Sequence, residues 1–68
     1  MEKVRGKLSE REKGVLQLVA LGHTSTVIGT RLNISGQTVN THIKNIYRKF
    51  NVRNRAQAVS FAAAHGVF

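Results

Sequence analysis

Between residues 39 and 50 the apolar side chains Val39, Ile43, Ile46, Tyr47 and Phe50 return at steps of four, three, one and three. At about 100° per residue they form a stripe roughly 100° wide, which predicts a helix over about 36–50 with one buried side. The opposite side is polar without interruption: Gln37, Asn40, Thr41, Lys44 and Arg48, with no acid among them. A flank between the two carries Thr38, His42, Asn45 and Lys49.

Three further helices follow from end signals. Ser9-Glu10-Arg11-Glu12 is a capping box, in which Ser9 accepts from the amide of Glu12 and Glu12 reaches back. It opens a helix over about 10–21 that buries Val15, Leu16 and Val19, with Gly22 suited to a left-handed end. Thr24-Ser25 begins a short second helix to Leu32, with Val27, Ile28 and Leu32 on one side and Gly29 where a bulkier residue would hold another helix away. Asn33 suits the positive φ of a sharp turn, Ile34 plugs it, and Ser35 caps the long helix. Asn51 closes that helix and Val52 returns to the core. Asn54 caps a fourth helix, about 55–65, ended by Gly66. Its wheel has two apolar sides: Ala58, Val59, Ala62 and Ala63 on one, Phe61, Ala64 and Phe68 nearly opposite. Since a lone small domain needs one buried face, the second suggests contact with another copy through Phe61, Ala64 and Phe68. The expected fold is all-α, with a leader or linker at 1–7 and one domain at 8–68.

Sixty-eight residues hold one small core, which leaves little room for a large catalytic cleft. With no cysteine, disulfides and thiolate metal sites are excluded. His23, His42 and His65 are scattered and lack supporting carboxylates, so no metal site is expected. The serines have no paired His and Asp, and the few acids stand at one end, so neither a triad nor an acid–base pair can be assembled. An enzyme is not expected, nor a cofactor, nor a bound small molecule. No apolar run is long enough for a membrane span and no secretory signal is present, which leads to an expected cytoplasmic location.

Charge narrows the reading further. Eleven Lys and Arg oppose three acids, a formal +8, with an isoelectric point near 11.4. Glu2, Glu10 and Glu12 all lie near the N-terminus, and the chain after Glu12 carries cations only. Such a field attracts a polyanion. A short helix, a tight turn and a second helix with a long polar, basic outer face form the helix-turn-helix pattern, whose second helix enters the DNA major groove. Gln37, Asn40, Thr41 and Lys44 suit base edges: Asn and Gln match adenine, Lys matches guanine, and the Thr methyl matches thymine. A merely solvated face would carry more Glu–Lys pairs.

Leu8-Ser9-Glu10-Arg11-Glu12, Gly22-His23-Thr24, Ile28-Gly29, Leu32-Asn33-Ile34-Ser35, Thr38-Val39, His42, Ile46, Lys49-Phe50-Asn51-Val52 and Arg55-Ala56-Gln57-Ala58-Val59 stand in an ordered set with matching spacings. Together they resemble the LuxR-type (GerE-like) DNA-binding domain over about 8–67. The resemblance implies four helices, a helix-turn-helix from the second and third, and a dimer contact through the fourth. It implies base contacts from Asn40, Thr41 and Lys44, and phosphate contacts from Thr24, Ser35, Thr38, His42, Asn45 and Arg48. Double-stranded DNA and a second copy of the chain are the implied partners, and RNA polymerase is left open as a further one. The chain is then a stand-alone regulator or the output part of a longer one. Three departures stand out: Asn40 replaces a usual Lys or Arg; the second helix has Val27 for a usual Glu together with Gly29 for a usual Ala; and Phe50-Asn51 replaces a frequent Leu-Gly.

Two other readings compete. A protein-interaction module with a degenerate helix-turn-helix would bind an acidic partner and ignore duplex DNA. A basic amphipathic helix would bind a membrane surface, but the apolar stripe of the long helix is needed for the core.

Overall fold

The computed structural model describes residues 7–67 and contains four helices: α1 Glu10–Ala20, α2 Ser25–Leu32, α3 Gly36–Phe50 and α4 Arg55–Ala64. The expected leader at 1–7, apart from Lys7, and Phe68 lie outside the described residues.

Each helix begins on a side chain that accepts from an otherwise orphaned amide. Ser9 Oγ accepts from the Glu12 amide at 3.1 Å, and the Ser9 amide donates to Glu12 Oε1 at 2.9 Å, completing the capping box. Thr24, Ser35 and Asn54 take the amides of Val27, Thr38 and Gln57 at 3.3, 3.0 and 2.8 Å.

The four C-termini share one solution. Gly22, Asn33, Asn51 and Gly66 all take positive φ, at 91°, 59°, 57° and 67°. In each case the next amide returns to the carbonyl five residues back: His23 to Leu18, Ile34 to Gly29, Val52 to Tyr47 and Val67 to Ala62, at 2.9 to 3.1 Å. This paired closure satisfies end carbonyls and turns the chain sharply. It also carries Ile34, Val52 and Val67 back against the core.

α1, α3 and α4 enclose the core, which also receives Ile28 from α2. Val15, Leu16, Ile28, Val39 and Ile46 are its largest side chains with almost no exposure. Side chains of this size each contribute about 1.5–3 kcal/mol when fully buried. Ala58 and Ala62 are buried without remainder, so α4 approaches closely through small residues. Ile43 and Tyr47 are half-buried along the edge of the α3 stripe.

Several expectations need correction. α1 ends at Ala20 and α4 at Ala64, one residue earlier than expected. Leu21 and His65 are the C-caps, whose amides still reach the Gln17 and Phe61 carbonyls at 3.1 and 3.0 Å before the chain turns at Gly22 and Gly66, and Leu21 is 72% exposed. Val27 does not join the buried side of α2. It is 38% exposed, since α2 presents Ile28 and Gly29 inward and Val27 stands about 100° away. Ala63 is exposed, not buried with Ala58 and Ala62. Phe61, placed by the wheel on the outward side of α4, is half-buried, its ring stacked on Phe50 with centroids 4.4 Å apart.

Candidate nucleic-acid interface

α2 and α3 are joined by only Asn33, Ile34 and Ser35, and their packing needs Gly29. A Cβ placed there would stand 2.6 Å from the Ile34 carbonyl oxygen and 3.3 Å from the Gly36 amide nitrogen. The absent side chain thus lets the turn lie against α2. A second tie runs between the two helices: the Ser25 hydroxyl, in the first turn of α2, donates to Asn40 Oδ1 at 2.6 Å. Arg11 of α1 secures the other end of α2 by donating to the Leu32 carbonyl at 3.2 Å. Arg55 of α4 donates to the His23 carbonyl at 3.0 Å, fixing the loop before α2.

This frame leaves the outer side of α3 exposed along its length. Gln37, Asn40, Thr41, Lys44 and Arg48 all face solvent, and Gln37, Thr38, Asn40, Thr41, Ile43 and Lys44 line one shallow open depression. The three expected base-contact residues are therefore brought together on one surface. The Thr41 hydroxyl donates to the Gln37 carbonyl at 3.1 Å. The expected phosphate contacts divide. Thr24 and Ser35 cap the neighbouring starts of α2 and α3, and the Ser35 hydroxyl also donates to Thr38 Oγ1 at 2.9 Å. Arg48 is exposed one turn beyond Lys44, whereas His42 and Asn45 are half-buried on the flank.

The electrostatics of this surface are of one sign. Glu10 lies 3.7 Å from Lys13 within α1. Glu12 is buried, and its Oε1 receives the Lys49 ammonium at 2.7 Å; Lys49 also donates to the Lys7 carbonyl at 2.9 Å. Burial pushes the Glu12 carboxyl up, but the hydrogen bond from Lys49, the Ser9 amide and the charges of Lys49 and His42 outweigh it and hold the group below its ordinary value. Among the described residues Lys44 and Arg48 have no ion-pair partner.

One contributor escapes a reading of the sequence. Ser25 was visible only as a cap beside Thr24, and nothing in its spacing from Asn40 reveals their bond. The exposed Gln37 was legible on the polar stripe, one turn before Thr41.

Comparison with known proteins gives one family. The model for bacterial regulatory proteins of the luxR family matches residues 6–62. Transcriptional activator protein PhzR of Pseudomonas fluorescens is 48% identical over 60 residues, covering 88% of this chain and 25% of PhzR. Regulatory protein SdiA of Escherichia coli strain K12 is 46% identical over 59 residues, covering 87% of this chain and 25% of SdiA. The chain thus spans about a quarter of the length of these relatives. The solved structure of the transcription factor GerE superposes with a TM-score of 0.86 at 33% identity, covering 93% of this chain and 94% of GerE.

Proposed function

The chain belongs to the luxR family of bacterial regulatory proteins, as a DNA-binding domain of the helix-turn-helix kind, and from that premise we propose that α3 lies in the major groove and reads base edges through Asn40, Thr41 and Lys44. The observation that carries this reading is the exposed, acid-free outer side of α3, held forward by the tight α2–α3 turn. Base contacts set the sequence, while phosphate contacts set register. The phosphate contacts are assigned to Thr24, Ser35, Thr38 and Arg48, since two neighbouring helix starts offer amides and a favourable dipole to an anion.

The domain acts as a cytoplasmic dimer on two half-sites about one helical turn apart. A shallow groove beside α4, lined by Val52, Ala56, Ser60, Phe61 and Ala64 among others, supports a second copy as its occupant. Phe61 and Ala64 remain the assigned dimer contacts.

Methylation interference tests the groove directly. Duplexes selected from a random library are treated with dimethyl sulfate, which marks guanine N7 in the major groove and adenine N3 in the minor groove. Guanine marks within the half-sites should abolish binding while adenine marks are tolerated. Interference from adenine marks alone would contradict the reading, and failure to bind any duplex at physiological salt would favour an acidic protein partner instead.

A further inference from the structure

We propose that Asn40 selects guanine over adenine because Ser25 holds its carbonyl oxygen toward α2 and so turns its amino group to the DNA. This rests on the proposed reading of α3 as the helix in the major groove.

The 2.6 Å separation between Ser25 Oγ and Asn40 Oδ1 lies within the usual range of O–H···O bonds and is short for N–H···O. A carboxamide oxygen cannot donate, so the Ser25 hydroxyl is the donor and the oxygen accepts. In a carboxamide the oxygen and nitrogen project from opposite sides of the same carbon. Holding Oδ1 toward α2 therefore turns Nδ2 away from it, toward the open side of α3. The structure records no bond to Nδ2 among the described residues.

Adenine presents an acceptor at N7 and a donor at its 6-amino group, so its usual bidentate match to Asn needs both the oxygen and the nitrogen of the amide. Guanine presents two acceptors, N7 and O6. An Asn whose oxygen is engaged on the protein side suits the second pattern. The Thr41 hydroxyl gives its hydrogen to the Gln37 carbonyl and so has none left to donate to a base. Lys44, one turn on, has donors and no acceptor. Around position 40 the free donors are therefore the Asn40 amino group and the Lys44 ammonium, while Gln37, one turn before Thr41, keeps both a donor and an acceptor. Where a lysine or arginine at position 40 would supply donors through charge, this chain supplies them through a neutral amide oriented by a serine on the preceding helix. Ser25 is accordingly a positioning residue.

The test is selection of duplexes from a random library by the 68-residue chain, followed by the same selection with Asn40→Ala, Ser25→Ala and Ser25→Thr. Asn40→Ala identifies the base pair that position 40 reads, as the one whose preference it erases. In the unsubstituted chain that base should be guanine, favoured over adenine by about tenfold or more, the scale of one specific base contact. Replacing it with 7-deazaguanine, which lacks the N7 acceptor, should weaken binding by a similar factor. Ser25→Ala should cut the guanine preference at that base pair alone, with other positions unchanged, and Ser25→Thr, which keeps the hydroxyl, should retain it. Adenine at the position read by Asn40, or an unaltered guanine preference in folded Ser25→Ala, would overturn the inference while leaving major-groove reading intact. If Asn40→Ala changes no position at all, Asn40 is not a base reader and both the inference and its role in the proposed function fall.

Discussion

The Ile34 amide donates to the Gly29 carbonyl at 2.9 Å, while the Ile34 carbonyl oxygen comes to 2.6 Å of the place where a Gly29 side chain would begin. One residue of the turn thus touches Gly29 on both of its polar groups, and the geometry of the helix-turn-helix is set by a missing methyl.

Helix propensity alone would make Gly29→Ala stabilising by about 1 kcal/mol. The obstructing atom is backbone, which cannot swing aside, so the substitution should instead destabilise by about 1–3 kcal/mol, the usual cost of overpacking. Thermal unfolding should show a fall of several degrees, at about 4–8 °C per kcal/mol for a domain of this size. A rise in Tm would mean that the turn moves away freely.

The Glu12–Lys49 pair predicts acid sensitivity. The Glu12 carboxyl titrates below its ordinary value in the folded chain. Its contribution is therefore complete above the unfolded value and is lost as pH falls through the lower folded one. Glu12→Gln should flatten the acid limb of stability against pH. Lys49→Met, which leaves a buried carboxylate unpaired, should cost about 2–4 kcal/mol at neutral pH by urea unfolding.

Asn33 and Asn51 hold left-handed conformations that Asn and Gly tolerate better than other residues. Gly at either position should be close to neutral or mildly stabilising. Ala should cost about 1 kcal/mol in chemical denaturation. Equal stability of the Gly and Ala variants would remove the conformational argument.

Phe61 and Ala64 separate folding from assembly. Phe61 stacks on Phe50 within the chain, so Phe61→Ala should lower stability by about 2–3 kcal/mol even at concentrations where the chain is monomeric. Ala64 is exposed, so Ala64→Glu should leave Tm nearly unchanged but weaken cooperative binding to paired half-sites. Binding of paired sites unaffected by Ala64→Glu would place the dimer contact elsewhere.

Much of this fold was legible along the chain because its signals are local. Ser9, Thr24, Ser35 and Asn54 announce the helix starts, and Gly22, Asn33, Asn51 and Gly66 their ends, each acting within four or five residues. The α3 stripe was legible for the same reason, and with it the exposed positions of Asn40, Thr41 and Lys44. What escaped depends on how helices meet. A helical wheel gives the angle of Val27, Ala63 or Phe61 but does not say which neighbour stands there, and the Phe50 ring takes Phe61 inward. The bonds from Arg11 to Leu32 and from Arg55 to His23 join residues 21 and 32 positions apart. Gly29 was readable as a place of close approach, but not that a turn carbonyl, and not another helix, fills the space.

The most direct test of the reading of α3 compares Lys44→Ala with Arg48→Ala on a selected duplex and on an unrelated one, each titrated across salt concentrations. Lys44→Ala should weaken the selected duplex by about tenfold or more and the unrelated duplex little. Arg48→Ala should weaken both to a similar degree and reduce the salt slope by about one. Equal losses for both variants on both duplexes would contradict the division of α3 into base-reading and phosphate-binding positions.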